Sequence, residues 1–204
     1  MSIVHSSEAY MQKKNSLFTL VFTQQKNFTA MKFKVFWNIL RNIFLNYIFI
    51  IVSKGKLLET LPKWGRLYTV EADITVNKLP SASAVWANIF HFTINKNIGT
   101  NGDRIPLVVV NKDKYFYIST DLNGKVDKGT FKFNFDMYKK YHLKIEQFQK
   151  DGKIMYQVMI NGKTEYSAEN TDPKDFENVK VFASDPWHDA FTSEYGKLEH
   201  FRLE

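Results

Sequence analysis

The sequence predicts an all-β protein, an antiparallel β-sandwich that follows an N-terminal hydrophobic segment. From Leu61 onward apolar and polar residues alternate with a period of two, as they do over Val70–Val76 (VEADITV). This alternation sends apolar side chains to one face of a strand and charged ones to the other, which is typical of a half-buried antiparallel strand. Turn sequences separate the alternating runs, and no convincing helical pattern lies between them. Many short strands at this spacing favour a two-sheet sandwich.

The candidate strands follow one another along residues 61–204. Their alternation is clearest over Val70–Val76 and again over His142–Glu146. The expected strands are Tyr68–Val76, Ala87–Ile94, Ile105–Val110, Tyr115–Thr120, Gly129–Phe135, Tyr141–Gln149, Lys153–Ile160, Lys163–Asn170, Val179–Ala183 and Lys197–Leu203.

Turn residues lie at the boundaries between these strands. The connecting sequences are Asn111-Lys112-Asp113, Asn123-Gly124, Asp151-Gly152 and Asn161-Gly162. Asn-Gly and Asp-Gly pairs tolerate the positive φ angles that tight hairpins need. We therefore expect the three strands between Tyr141 and Asn170 to be joined by two hairpins.

The N-terminal part of the chain differs in character from the rest. Residues 1–30 show no sustained period and are expected to be a poorly structured leader. Within residues 31–56, Lys32 and Lys34 precede the most hydrophobic stretch of the chain, residues 35–52, and small residues follow it. If translation starts at Met31, this order is that of a signal peptide; if it starts at Met1, the segment is a signal anchor with the domain outside. We expect residues 57–204 to form an extracellular, secreted or membrane-anchored jelly-roll domain.

A third interpretation of the hydrophobic stretch is an amphipathic helix. Polar residues interrupt residues 35–52, which makes them a poor membrane span. The apolar residues fall on one face at helical spacing, with the polar ones roughly opposite. Membrane contact is expected only through residues 35–52, and only if that segment is not cleaved.

The net charge of +7 does not indicate a nucleic-acid-binding face. Residues 61–204 hold 20 Lys and Arg against 19 Asp and Glu, a net charge of +1, so +6 of the total lies in residues 1–60. A nucleic-acid-binding domain concentrates positive charge on its folded surface. We therefore expect no nucleic-acid partner.

The chain contains no cysteine. This excludes structural disulfides, thiolate catalysis and Cys-ligated metal sites. A sandwich of about 140 residues buries enough apolar area without disulfides, so an extracellular location is compatible with this composition.

Several sequence elements between Leu61 and Glu204 resemble those of a known architecture. They are Leu61-Pro62-Lys63-Trp64-Gly65, Ile89-Phe90-His91-Phe92-Thr93-Ile94, Gly102-Asp103-Arg104-Ile105-Pro106, Ile160-Asn161-Gly162-Lys163, Phe176-Glu177-Asn178-Val179-Lys180-Val181 and Ala183-Ser184-Asp185-Pro186-Trp187. The set resembles concanavalin A-like lectin and laminin-G-like jelly-roll domains. It is similar above all to a group of extracellular animal proteins that share the Gly-Asp-Arg-Ile-Pro and Ser-Asp-Pro-Trp elements. The resemblance implies secretion, a concanavalin A-like jelly roll and a binding role, and it implies no catalytic residue.

The polar loop from Asn95 to Arg104 is the first candidate binding segment. Asn95, Asn101 and Arg104 are predicted to contact a ligand. Asp103 is the candidate metal ligand, because calcium takes roughly six to eight oxygen ligands and the loop is rich in them. The alternative for Asp103 is structural: its carboxylate pairs with Arg104 or caps the loop backbone. We expect no cofactor other than calcium.

The second candidate segment is Ser184–Asp189. Trp187 is predicted to stack on a sugar ring while Asp185 hydrogen-bonds its hydroxyls. The alternative is that Trp187 closes one end of the core and Asp185 begins the turn before Pro186, since Asp-Pro is itself a turn signal.

These observations predict a non-catalytic, lectin-like module that binds a glycan or an extracellular protein. One alternative is a structural matrix component that self-associates. Another is a glycoside hydrolase, whose retaining chemistry needs two carboxyl groups about 5 Å apart. Glu71 and Asp73 alternate on one strand, but no further acidic residue follows them there. The chain also lacks zinc-binding histidine spacing, a Ser-His-Asp signature and a phosphate-binding glycine loop.

Overall fold

The computed structural model describes residues 53–204, whose regular structure consists entirely of β-strands. The strands are β1 (Lys56–Trp64), β2 (Tyr68–Val76), β3 (Trp86–Thr93), β4 (Leu107–Asn111), β5 (Tyr115–Ser119), β6 (Phe131–Asn134), β7 (Lys140–Lys150), β8 (Lys153–Ile160), β9 (Lys163–Glu169), β10 (Phe176–Ser184), β11 (Asp189–Ala190) and β12 (Gly196–Leu203). No helix in residues 53–204 has the length and apolar character needed to cross a membrane. The predictions for residues 1–52 lie outside the described part of the chain.

The strands form two sheets. Sheet A has the order β1-β10-β3-β4-β5-β6, with the short β11 beside β3, and sheet B has the order β12-β2-β7-β8-β9. Neighbouring strands are antiparallel except for the two-residue β11. Within residues 53–204 the first two strands pair with strands near the C-terminal end, β1 with β10 and β2 with β12, so the chain crosses between the sheets as in a jelly roll. The predicted all-β antiparallel sandwich is confirmed.

Alternating side chains of the two sheets fill the space between them. In β2 the buried residues are every second one, and the residues between them are half-exposed. Phe90, Phe92 and Phe116 from sheet A share one core with Leu143, Ile145 and their neighbours from sheet B. Large aromatic side chains bury much apolar area each, so these rings contribute strongly to the stability of the sandwich.

The predicted hairpin turns are confirmed in backbone geometry. Asp151 and Gly152 have φ angles of 50° and 76°, and Asn161 and Gly162 have 51° and 79°. Two consecutive residues with positive φ define the type I′ turn, whose twist matches that of the flanking strands.

Strand β1 was missed by the sequence pattern, which only marked Leu61 to Gly65 as the opening of the domain. Two register shifts near its start break the alternation, and Pro62 lies within it. Proline is tolerated because β1 is an edge strand with a neighbour on one side only. The short β11 was also missed, and β10 begins three residues before the predicted Val179.

Candidate functional site: the outer face of sheet A

Aromatic side chains gather on the outer face of sheet A. In β4 and β5 every second residue belongs to the core, so the residues between them point outward. Asn111 pairs with both Trp86 and Tyr115, which places these residues in one row across the sheet. The Trp86 ring lies 5.9 Å from the ring of Tyr115 and 5.3 Å from that of Tyr117, in edge-on orientation. These three partly exposed residues are called the aromatic cluster.

Trp187 lies on the same outer face. Its ring centre is 5.5 Å from that of His91 and 6.2 Å from that of Phe182, and these two residues pair in register between β3 and β10. Trp187 is 39% exposed, one of the few large apolar residues of the described chain that face solvent. It does not belong to the core cluster, so the alternative that Trp187 closes one end of the core is wrong.

Asp185 lies fully buried beneath Trp187. One carboxylate oxygen accepts hydrogen bonds from Nδ1 of His91 and Nδ1 of His188, both at 2.8 Å. The other oxygen accepts the backbone N–H groups of Trp187 at 3.0 Å and His188 at 2.8 Å. The side chain therefore organises the turn that displays Trp187. This agrees with the structural alternative for Asp185, in which it begins the turn before Pro186 and does not hydrogen-bond the hydroxyls of a ligand.

The buried His91 ring is hydrogen-bonded to the Asp185 carboxylate. Burial alone raises the pKa of Asp185, but hydrogen bonds from His188 and His91 outweigh it and hold that pKa well below the usual 3.8. Nε2 of His91 donates to the carbonyl oxygen of Asp103 at 2.6 Å. Both ring nitrogens of His91 thus face oxygen atoms, one of the Asp185 carboxylate and one of the Asp103 carbonyl. His91 thus ties the turn at Asp185 to the loop containing Asp103.

Asp103 caps the backbone of its own loop. Its carboxylate accepts the N–H of Lys96 at 3.0 Å, and the N–H and hydroxyl of Thr100 at 2.8 and 3.2 Å. Asp103 is fully buried, and its carboxylate does not pair with Arg104. Among residues 53–204 no three His, Asp or Glu side chains form a group able to hold a metal ion. Calcium binding stays a prediction.

Arg104 joins the loop to the aromatic cluster through a shared carboxylate. Its guanidinium donates to Asp127 at 2.8 Å and to the backbone and side-chain oxygens of Asn97 at 3.1 and 3.2 Å. Asp127 also accepts the hydroxyl of Tyr117 at 2.7 Å and that of Ser119. A charged, planar hydrogen-bonding pair therefore borders the aromatic rings.

The predicted ligand residues divide between two locations. Arg104, Asp185 and Trp187 surround the outer face of sheet A, whereas Asn101 lines a separate cleft at one end of the sandwich. Asn95 lies at the start of the loop, where its backbone N–H donates to the Thr93 hydroxyl at 3.1 Å.

The aromatic cluster is not among the site residues predicted from the sequence. The predicted strands include Tyr115 and Tyr117, and one begins directly after Trp86. The exposure of these three side chains on the solvent face of the sheet did not enter the predicted site. The sequence does indicate that the two tyrosines face solvent, since Tyr115 and Tyr117 alternate with the core residues Phe116 and Ile118. Their approach to Trp86 depends on strand order and register.

The outer face of sheet B carries paired charges instead. Asp73 accepts hydrogen bonds from His142 at 2.7 Å and His200 at 2.8 Å, and Glu71 lies 4.0 Å from Nζ of Lys144. Burial raises the pKa of Asp73, but the two histidine hydrogen bonds outweigh it and lower that pKa. Glu71 and Asp73 thus occupy a solvated, charge-paired strand face.

The fold and its two dissimilar outer faces define the chain as a jelly-roll β-sandwich with an aromatic sheet face. No protein-family model matches the chain, and no curated protein matches it. The assignment to the animal group that shares the two sequence elements therefore stays a prediction.

Solved structures similar to the chain include a native heptameric SAP-like pentraxin from Limulus polyphemus (TM-score 0.47, 15% identity, 74% of each chain covered). Alginate lyase A1-II′ of polysaccharide lyase family 7 has a TM-score of 0.46 and 19% identity over 70% of this chain and 64% of its own. The carbohydrate-binding module CBM66 from Bacillus subtilis has a TM-score of 0.41 and 15% identity over 75% of this chain and 93% of its own. At these identities most side chains differ, so the function of this chain follows from its own residues.

Proposed function

We propose that the chain is a non-catalytic binding domain that recognises a glycan through the outer face of sheet A. The exposed Trp187 carries the proposal, because it stands on the same sheet face as the aromatic cluster. Exposed apolar groups rimmed by polar residues mark interaction sites. The outer face of sheet B carries the charge pairs of Asp73 and Glu71.

The chemistry of the face suits a sugar. Aromatic rings present flat apolar surfaces on which the C–H face of a pyranose packs. The Lys132 ammonium, 5.0 Å from the ring centre of Tyr115, provides a hydrogen-bonding group for hydroxyls, and the Arg104–Asp127 pair holds the Tyr117 hydroxyl in place. Apolar walls with a few placed polar groups are the usual composition of ligand sites.

An extracellular protein is the second candidate ligand. Trp, Tyr and Arg are the residues most enriched at the energetic centres of protein interfaces. The same exposed Trp187 therefore supports this alternative, and a glycan screen separates the two. The absence of catalysis is part of the proposal; it is supported by the lack of a further acidic residue after Glu71 and Asp73 on β2.

An extracellular location completes the proposal. It is supported by the order of Lys32, Lys34 and the apolar residues 35–52 in the sequence. Expression in a secreting cell followed by N-terminal sequencing of the secreted protein tests it. Retention of the whole chain inside the cell contradicts the proposed location.

A glycan array probed with the full chain tests the binding function, once with calcium and once with a chelator. Trp187→Ala and Trp86→Ala should each weaken binding about tenfold, which corresponds to about 1.4 kcal/mol. Tyr138→Ala is the matched control, because Tyr138 is 74% exposed and lies between β6 and β7, away from the proposed face. The control should bind like the unmodified chain.

The outcomes separate the alternatives. If the folded variants Trp187→Ala and Trp86→Ala both bind glycan at full strength, the site lies elsewhere. That result would refute glycan binding by the outer face of sheet A. A blank array with folded protein refutes glycan recognition and favours a protein partner or self-association, which light scattering distinguishes. Loss of binding in chelator would establish calcium as a cofactor.

A further inference from the structure

Lysine side chains border the aromatic cluster of sheet A. Lys132 pairs in register with Tyr117, so its side chain leaves the sheet on the same outer face. Its ammonium lies 5.0 Å from the ring centre of Tyr115. Lys114 is exposed and directly precedes Tyr115 in the turn between β4 and β5. Positive charge and aromatic rings therefore coincide on the proposed binding face.

The lysines beside the aromatic cluster are not neutralised by carboxylates of the chain. Lys128 is exposed and directly follows Asp127, whose carboxylate accepts the Tyr117 hydroxyl at 2.7 Å. Within residues 53–204, none of Lys114, Lys128 and Lys132 forms an ion pair. Their three ammonium groups can therefore meet the negative charge of a ligand without first leaving a partner carboxylate.

The carboxylates near these lysines are occupied or directed elsewhere. Asp113 is paired with the preceding lysine at 2.6 Å, and Asp127 is paired with Arg104 at 2.8 Å. Asp189 pairs in register with the core residue Ala87, on the inner side of the sheet. The solvent side of the aromatic cluster thus carries an excess of positive charge.

The outer face of sheet B has a different charge arrangement. There Lys140 pairs with Glu199 at 3.1 Å, and Lys144 pairs with Glu146 at 2.7 Å. Unpaired ammonium groups beside partly exposed aromatic rings are therefore a property of sheet A, and they favour an anionic ligand on that face.

The amount of charge limits the kind of anion. Residues 61–204 have a net charge of only +1, and the lysines at the cluster are separated from one another along the chain. Densely charged polyanions are bound by clustered runs of Lys and Arg. A few separated ammonium groups instead suit a glycan that carries no more than one negative charge on a sugar ring, which is the charge of a uronic acid.

We infer that the glycan bound by sheet A contains uronic acids. The inference rests on the proposed glycan binding by this face and adds the charge of the ligand. The sugar ring packs on the exposed aromatic rings, and the uronate carboxylate accepts a charge-assisted hydrogen bond from Lys132. The long, flexible lysine stem lets the ammonium move from the Tyr115 ring to that carboxylate.

The test compares an acidic oligosaccharide with its own methyl ester, because esterification removes the charge and keeps the sugar ring. The probes are trigalacturonate and a hyaluronan tetrasaccharide, each titrated calorimetrically into the full chain as acid and as ester. We expect at least one acid to bind about tenfold more tightly than its ester. The preference should shrink between about 0.1 M and 1 M NaCl, since the Debye length falls from about 10 Å to about 3 Å.

Substitutions separate the lysines of sheet A from the other basic groups. Residues 1–60 carry a net charge of +6 and attract anions by themselves. Lys132→Gln removes one ammonium from the cluster, so it should weaken binding of the acid about threefold and leave the ester unchanged. Lys132→Arg keeps the charge and should keep the preference. Lys197→Gln is the matched control, because Lys197 is exposed on β12 of sheet B and has no ion pair within residues 53–204.

The outcomes distinguish failure of the inference from failure of the proposed function. Equal binding of acid and ester overturns the inference and leaves glycan binding standing. A preference that Lys132→Gln does not reduce, or that Lys197→Gln reduces equally, also overturns it. Binding of a sulfated galactan oligosaccharide without binding of either uronate would assign a sulfate ligand instead. If no probe binds, a neutral glycan found on the array refutes the inference alone, and a blank array refutes the proposed function with it.

Discussion

Replacing Asp185 by asparagine is expected to destabilise the folded chain severely. The carboxylate accepts four hydrogen bonds, two from histidine rings and two from backbone N–H groups, all at 2.8–3.0 Å. Asparagine can keep the two backbone bonds through its carbonyl oxygen. Its NH₂ group then faces Nδ1 of His91 and Nδ1 of His188, so both ring nitrogens lose their carboxylate acceptor.

The magnitude follows from the burial of the pair. The side chains of His91 and Asp185 are both 0% exposed. Leaving a buried hydrogen-bonding group without its partner typically costs about 1–3 kcal/mol, and more where a charged group is involved. Because two histidine rings lose their acceptor, we expect Asp185→Asn to lower the free energy of unfolding at pH 7 by about 2–6 kcal/mol.

Urea unfolding followed by tryptophan fluorescence measures this change. Asp113→Asn is the matched control, since Asp113 is 63% exposed and pairs with Lys112 on the surface. Exposed pairs contribute roughly 0–1 kcal/mol, so the control should unfold near the urea concentration of the unmodified chain. A loss in Asp185→Asn no larger than that of the control would refute the stabilising role of the hydrogen bonds to Asp185.

The pH dependence gives an independent check. The pKa of Asp185 is lower in the folded chain than its unfolded value near 3.8. Its stabilisation is therefore complete above about pH 4 and is lost as the pH falls through the folded pKa. The free energy of unfolding of the unmodified chain should decline below pH 4, and Asp185→Asn should decline less steeply. Parallel declines would show that Asp185 is not the group concerned.

Three further outcomes are expected. Gly196→Ala should lower the thermal midpoint strongly, because its Cβ would lie 2.0 Å from the carbonyl oxygen of Thr75. Gly162→Ala, whose Cβ meets nothing within 4 Å, should cost only about 1 kcal/mol for its positive φ, and equal losses would contradict the steric argument. Val85→Asn should raise the free energy of unfolding by up to about 1 kcal/mol in urea titrations, because a β-branched residue is disfavoured at the observed φ of 53°; a loss would argue against strain at this position. Asp73→Asn should reduce stability more at pH 7 than at pH 3, since the lowered pKa of Asp73 makes its contribution full above about pH 4 and lost on acidification. The same variant should leave glycan binding intact, and weakened binding would place the site on sheet B.

The local alternation of apolar and polar residues was enough to predict most of the strands. Alternation over Tyr68–Val76 and Lys153–Ile160 predicted strands with the bounds that the structure has. The reason is physical: a strand with one face buried must alternate, and Asn-Gly or Asp-Gly turns supply the positive φ that connects such strands. Strand β1 lacked this signal because its early register shifts and Pro62 obscure the alternation, and pairing with β10 defines it.

The candidate site could be predicted only in part. The sequence by itself singled out Asp103, Arg104, Asp185 and Trp187 as the polar and aromatic residues of two loops. Tertiary structure decided their roles: the carboxylates of Asp103 and Asp185 are buried and hold backbone N–H groups, while Trp187 faces solvent.

The aromatic face and the end cleft required the tertiary structure. The sequence determined that Tyr115 and Tyr117 share one face of a strand, because side chains alternate along it. Strand order and register, which depend on contacts between distant parts of the chain, brought Trp86 beside them and Trp64 beside Asn101. A local pattern specifies which side of a strand a residue occupies, and only the packing of the sheets specifies what it meets there.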